Sequence, residues 1–407
     1  IAPAAGFSVS DVAGNAQTSA GGTDRTVTYD ITGPALTLEQ AAGQADPAKN
    51  TAISFTLSAN ETIDATTVAT GDFTATNGTV STVSGTGTSF TVTVTASGQG
   101  NVVIAPSGTF SVSDVAGNAT TTAGGTDRTV TFDSVAPTLT LAQAAGQADP
   151  TNGSSIRFTL SSNEALDGAS IAASDFTVSG GSAVTVTGSG ATWTLTTTAS
   201  GDGAVTIAPS GTFLINDVAG NAATTAGGSD RSVTYDTVAP TLTVQQSVGQ
   251  ADPTRVASIN FTLGSNEALD ASTVTASDFT VTNGSAPSIS CTGSSCTVTT
   301  VAAAEGTVSI TVSPTFSVSD VAGNATLGAT ILADTQVTYD RAVTYDITAP
   351  TVTLEKAAGQ GDPTKTSSIS FAFTSNEGLD ATTVTAGDFT ATNGRSEEHT
   401  SELPSRL

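Results

Sequence analysis

The sequence predicts an all-β protein built from tandem immunoglobulin-like β-sandwich domains in an extended array. Two observations carry this. Val, Ile and Leu alternate with Thr and Ser, as in Phe90-Thr91-Val92-Thr93-Val94-Thr95 and Trp193-Thr194-Leu195-Thr196. That period of two marks half-buried strands, and no segment holds a helical period. The same pattern also recurs every 103 residues. About 100 residues is the size of one such sandwich, whereas solenoid repeats are far shorter.

The repeat is exact in its markers. Asp-Val-Ala-Gly-Asn-Ala starts at Asp11, Asp114, Asp217 and Asp320. Asp-Pro recurs at Asp46, Asp149, Asp252 and Asp362, and Asn-Glu at Asn60, Asn163, Asn266 and Asn376. Asp-Phe-Thr recurs at Asp72, Asp175, Asp278 and Asp388. The last interval of these three markers is 110 because Val-Thr-Tyr-Asp occurs twice, ending at Asp340 and at Asp346. The expected units are 35–137, 138–240 and 241–350, the last with a seven-residue insertion. Residues 1–34 match the last third of a unit and 351–394 its first part, so the chain is expected to begin and end inside a domain.

Within 138–240 the strands are placed in order. Thr138 to Leu141 is first, followed by a Gly/Asp/Pro loop and then Ser155 to Leu160, in which Ile156, Phe158 and Leu160 share one face. A third strand starts at Phe176. Val184 to Thr187 and Ala191 to Thr198 form a hairpin around Gly188-Ser189-Gly190. Ala204 to Ala208 follows, then a long loop from Asp217 to Gly228, then Ser232 to Tyr235. Phe55, Phe158, Phe261 and Phe371 are expected in the core, as are Phe73, Phe176, Phe279 and Phe389. Trp193 fills the slot of Phe90 and reads as core packing, not as a ligand platform.

Composition excludes several functions. With 11 Lys and Arg against 36 Asp and Glu the net charge is -25. Nucleic acid needs clustered cations and anionic membranes repel such a chain. No run of 18 apolar residues exists to span a bilayer, and no signal peptide is visible. The single histidine is His399. No Ser-His-Asp constellation or His/Cys zinc set can therefore be built, and no P-loop is present. No enzymatic activity is expected.

The acids carry the signal. The first complete unit holds eight: Glu39, Asp46, Glu61, Asp64, Asp72, Asp114, Asp127 and Asp133. Five recur in register and lie in loops or linkers: Asp46, Glu61, Asp64, Asp114 and Asp133. In a seven-strand sandwich the loop after the second strand and the loop before the last lie at the pole where the chain enters. Glu164, Asp167 and Asp217 are expected there. The linker brings Asp133, and the first loop of the preceding unit brings Asp46. The corresponding sets are Asp30, Glu61, Asp64 and Asp114; Asp149, Asp236, Glu267, Asp270 and Asp320; and Asp252, Asp346, Glu377 and Asp380, with Asp340 an alternative to Asp346. Close ionised carboxylates repel by about 1–4 kcal/mol per pair. Oxygen-only ligands without His or Cys select Ca²⁺. Taken singly, Asp-x-x-Gly-Asn is a common turn and Glu-x-x-Asp a solvated loop; it is their conjunction with a linker aspartate that points to a cation. Asp127-Arg128 reads as a surface pair of small value. Asp72 reads as a turn or strand-start residue. The sequons at Asn77 and Asn118 read as chance products of Thr-rich strands.

Cys291 and Cys296 stand where the other units have Gly85 and Phe90, or Gly188 and Trp193. A disulfide across the hairpin, offsetting the lost aromatic, is expected, and it implies an oxidising setting. The alternative is two free thiols.

These residues resemble the bacterial Ig-like repeat domains of large secreted surface adhesins and biofilm-associated proteins. The resemblance rests on Asp133-Ser-Val-Ala-Pro137, Ala148-Asp149-Pro150-Thr151, Ser162-Asn163-Glu164, Ser174-Asp175-Phe176-Thr177-Val178 and Asp217-Val-Ala-Gly-Asn221, and it covers 1–394. It departs at Gly33-Pro34, where the other linkers have Ala-Pro, and at the insertion near Asp340. It implies secretion to the bacterial cell surface and cell adhesion or biofilm formation. It also implies a stalk or spacer role, with Ca²⁺ stiffening the junctions as in cadherins. Any host-cell, surface or matrix ligand is expected to bind parts outside this fragment. The alternatives are an accessory region of a secreted multidomain enzyme, or direct ligand binding by one repeat, for which 241–350 is the leading candidate. The tail 395–407 departs from the repeat and looks like the translation of a sequencing-adapter oligonucleotide, leaving His399 without a function.

Overall fold

The computed structural model describes residues 1–327 and 342–392. Asp340 and the tail with His399 lie outside the described residues. The chain divides into two units, 1–237 and 238–407.

In the first unit the alternating pattern does what it predicts. Ile53, Phe55 and Leu57 are fully buried, as are Ile156, Phe158 and Leu160. The intervening Ser and Thr face out. One sheet orders Leu36–Gln40, Ala52–Ala59, Ser89–Ala96 and Gly78–Thr86. The opposing sheet orders Phe73–Thr76, Gly100–Pro106 and Thr129–Phe132. In chain order this is 1-2-5-4 against 3-6-7, the strand order of an immunoglobulin constant-type sandwich. One core between the sheets includes Leu38, Phe55, Val92, Ile104 and Val130. Burial of each such side chain contributes about 1.5–3 kcal/mol.

The second sandwich repeats the order with Leu139–Gln143, Ser155–Ser162, Thr192–Thr198 and Thr185–Ser189 against Phe176–Ser179, Gly203–Pro209 and Ser232–Tyr235. A short strand, Ala226–Gly227, adds in parallel to Leu139–Gln143. The predicted 217–228 loop is therefore partly structured. It also contains Ala222–Ala223, which pairs with Ile215–Asn216. Before the first sandwich, residues 1–34 pair only at Val9–Ser10 with Ala16–Gln17.

The second unit holds a third sandwich of the same order. Leu242–Gln246, Ser258–Ser265, Ser295–Val301 and Ser288–Thr292 face Phe279–Thr282, Gly306–Val312 and Ala342–Tyr345. A hairpin of Val352–Lys356 with Phe371–Ser375 follows. Its Phe371 is exposed, so the expected core role is not met there. Among the described residues no helix is long and apolar enough to cross a membrane.

Two side-chain expectations need correction. Trp193 is half-buried, not core: its indole lies against the core edge and donates Nε1–H to Gly190 O at 3.1 Å. Arg128 does not pair with Asp127. It donates to the carbonyls of Ala123 at 2.5 Å, Gly124 at 2.6 Å and Leu38 at 3.3 Å, clasping a loop to the first strand. Arg231 repeats this on Ala226, Gly227 and Leu141.

The hairpin end beneath Trp193 shows why the residue there varies. Gly188, opposite Trp193 in register, has φ +148°, and a Cβ on it would stand 2.6 Å from Thr192 O. Gly85 opposite Phe90 is held in the same way. In the third sandwich the same two positions are Cys291 and Cys296, joined by a disulfide, with Cys296 fully buried.

Candidate metal centre

The linker, the Asn-Glu turn and the Asp-Val-Ala-Gly-Asn loop meet where the chain enters each sandwich of the first unit. Asn163 begins the arrangement. Its Oδ1 accepts from Thr138 N at 2.6 Å while its own N–H donates to Thr138 O at 3.3 Å. The asparagine thus fixes the start of the first strand, and Glu164 follows at the mouth of the linker. Asn60 does the same for Ala35 and Glu61.

The loop supplies a buried carboxylate. Asp217 is 1% exposed. Its Oδ1 accepts from Asn221 N at 2.8 Å and its Oδ2 from Asn221 Nδ2 at 2.9 Å. Gly220, with φ +90°, makes the turn that brings the asparagine back. Asp114 and Asn118 form the same ring, both bonds at 2.8 Å. That ring engages the Asn118 amide, and Asn77 Nδ2 is likewise engaged by Gly98 O at 2.7 Å.

The linker aspartate completes the group. Asp133 Oδ1 accepts from Val135 N at 3.0 Å, a local turn that sets its side chain. Asp133, Glu164 and Asp217 then each offer an oxygen, all within 4.8 Å of one another. Asp30, Glu61 and Asp114 make an equivalent group one repeat earlier. The electrostatics follow. Burial, then the neighbouring Asp133 and Asp217, raise the Glu164 carboxyl above the ordinary glutamate range. Burial, Asp30 and Asp114 do the same to Glu61. At Asp114 burial pushes upward, but hydrogen bonds from Asn118, Ala116 and Gly117 outweigh it and leave the carboxyl below the ordinary aspartate range.

The remaining residues are placed unit by unit. In the first unit Asp236 N donates to Thr151 O at 3.0 Å. In the second, Asp320 is 1% exposed and ringed by Asn324, whose N and Nδ2 both donate at 2.9 Å. Glu267 N donates to Ser265 Oγ at 3.2 Å. Asp346 Oδ1 accepts from Thr348 N at 3.0 Å. Glu377 Oε1 is buried with no hydrogen-bond partner among the described residues.

Two sets of expected ligands sit elsewhere. Asp46, Asp149 and Asp252 each accept from a last-strand backbone N–H: Thr131 at 2.9 Å, Thr234 at 2.8 Å and Thr344 at 2.8 Å. They tie the first loop to the last strand of their own sandwich and join none of the three-carboxylate groups. Asp64, Asp167, Asp270 and Asp380 cap short 3₁₀ turns, accepting from Thr66, Ala169, Ser272 and Thr382 N. Hydroxyl hydrogen bonds from Thr66, Ser272 and Thr382, with these backbone ones second, hold Asp64, Asp270 and Asp380 below the ordinary aspartate range. Asp72 is likewise local, its Oδ2 accepting from Ala69 N at 2.6 Å.

Two further contacts at the Asp133 linker leave no signature in the residue pattern. Asn221 Nδ2 also donates to Asp133 O at 3.0 Å, and Lys49 Nζ of the first sandwich donates to Gly220 O at 2.9 Å.

No family model matches the chain, and no curated protein matches it. Among solved structures the chain is similar to FdeC, an adhesin of Escherichia coli, at 13% identity and a TM-score of 0.34, over 74% of this chain and 98% of that one. It is similar to invasin, a bacterial integrin-binding protein, at 14% identity and a TM-score of 0.30, over 79% of this chain and 62% of that one. The I9–I11 tandem of titin shows 7% identity and a TM-score of 0.23, over 68% of this chain and 94% of that one. The fold assignment stands on the strand order of each sandwich.

Proposed function

We propose that this chain is a spacer segment of a secreted bacterial surface adhesin, an array of sandwiches whose junctions are stiffened by a divalent cation of the Ca²⁺ class. The observation that carries the cation reading is the Asp133–Glu164–Asp217 group, contributed by a linker and by two loops of the sandwich that follows it. The donors fit such an ion. All are carboxylate oxygens, and the group contains no His or Cys, the set that hard cations take. Asn221 orients Asp217 and leaves each of its oxygens a further lone pair. When bound, the ion would neutralise three mutually repelling charges and tie the linker to the sandwich that follows it. The bonded Cys291–Cys296 pair supports an oxidising, extracellular setting.

Melting and small-angle X-ray scattering of the whole chain, in Ca²⁺ and in chelator, test the reading. Chelation is expected to lower the melting temperature and broaden the scattering envelope. Melting and scattering that do not respond to chelator would refute the cation role.

A further inference from the structure

One contact recurs beside three linkers, made each time by a different residue. In the turn before Gly100–Pro106, Gln99 donates Nε2–H to Ser134 Oγ at 2.8 Å and accepts from Ser134 N at 3.2 Å. In the next repeat Asp202 Oδ1 accepts from Thr237 N at 2.9 Å and Thr237 Oγ1 at 2.8 Å. In the third sandwich Glu305 Oε1 accepts from Thr348 N at 3.1 Å. Each of the three precedes a glycine with φ above +100°, a turn that brings the side chain back toward the linker. Each partner lies one or two residues beyond a linker aspartate: Asp133, Asp236 or Asp346.

We infer that Gln99, and Asp202 and Glu305 at the same place in their repeats, are positioning residues that latch the linker to the sandwich preceding it and set its direction without a cation. Three features support this. The same geometry is made by an amide and by two carboxylates, so the hydrogen bond to the linker is the common element and the charge is not. Gln99 is exposed, and both of its side-chain hydrogen bonds go to Ser134 of the linker. On the far side of the Asp133 linker, Asn221 holds Asp133 O and Lys49 reaches Gly220 O, so the junction inside the first unit is held from both flanks by direct hydrogen bonds. A linker without such ties leaves neighbouring domains free to reorient, the default for small interfaces. The inference rests on the spacer reading above but not on its cation.

The test is a spin-label distance measurement on the whole chain with its disulfide intact. Labels sit at Thr91→Cys and Thr192→Cys, exposed positions on the outer faces of the first two sandwiches. In chelator, Gln99→Ala is expected to widen the distance distribution at least about 1.5-fold, because it removes both hydrogen bonds that tie Ser134 to the preceding sandwich. Gln99→Glu, which reproduces Glu305, is expected to keep the parent width. An unchanged melting temperature shows that both variants fold. A Gln99→Ala distribution as narrow as the parent's overturns the latch. The parent compared in Ca²⁺ and in chelator reads the cation role separately, so either idea can fail alone.

Discussion

The side-chain amide of Asn221 donates to two acceptors at once, the Asp217 carboxylate at 2.9 Å and the backbone carbonyl of Asp133 at 3.0 Å. One residue therefore orients the buried carboxylate of the candidate centre and ties the linker above it. Asn221→Ala is expected to destabilise the first unit by about 2 kcal/mol, the sum of two net hydrogen bonds, and to weaken any cation response as well. Asn221→Asp keeps the shape but cannot donate, and should fare no better. Urea unfolding checks this; an alanine variant with the parent's midpoint would contradict it.

The raised Glu164 carboxyl gives a pH signature. A carboxyl whose folded pKa lies above its unfolded value holds its proton more tightly when folded. Its stabilising contribution is present below the ordinary glutamate pKa and is lost as pH rises through the folded value. In chelator, the melting temperature of the parent is therefore expected to fall more steeply than that of Glu164→Gln as pH rises from about 4 to about 7. Ca²⁺ should reduce the difference. Parallel pH profiles for the two proteins would show that the three carboxylates do not strain the fold.

Asp46 separates the structural acids from the candidate ligands. Its bond to Thr131 N holds the first loop to the last strand. Asp46→Ala is expected to lower the melting temperature by a few degrees while leaving the Ca²⁺ concentration dependence of the shift unchanged. A displaced Ca²⁺ midpoint would return Asp46 to the metal site.

At the hairpin ends, Gly188 and Trp193 solve one packing problem and the Cys291–Cys296 disulfide solves it differently. Gly188→Ala forces a Cβ to within 2.6 Å of Thr192 O at φ +148°, and is expected to cost about 1–3 kcal/mol. Removing the disulfide by replacing both cysteines with alanine should cost the third sandwich about 2 kcal/mol for so short a loop. Cys291→Gly with Cys296→Trp should recover most of that loss. Calorimetry of the three variants checks the equivalence. A Gly–Trp pair no better than the alanine pair would contradict it.

Sequence reasoning reached the fold because the strands are amphipathic and repeated: Ile156, Phe158 and Leu160 could face only one way. It also reached Asp133, Glu164 and Asp217, since topology alone places their segments at one pole. It also groups Asp46 and Asp64 there, whereas the structure engages them with Thr131 N and Thr66 N and leaves them out of the three-carboxylate groups. An aspartate that caps a 3₁₀ turn or accepts from a neighbouring strand has the same loop position and spacing as a ligand, and only side-chain direction distinguishes them. Trp193 was misplaced because its slot holds a buried Phe90 in the preceding repeat, while the larger indole must extend past the core edge to reach Gly190 O. Gln99, Asp202 and Glu305 left no pattern, because a hydrogen bond to a backbone N–H does not require one residue type.

The most direct test of the account is calorimetric titration of Ca²⁺ into the whole chain and into its Glu164→Gln variant. The parent is expected to bind more than one ion, and the variant to lose one stoichiometric site while keeping the rest. Absence of binding at millimolar Ca²⁺, or an isotherm unchanged by Glu164→Gln, would contradict a cation held by Asp133, Glu164 and Asp217.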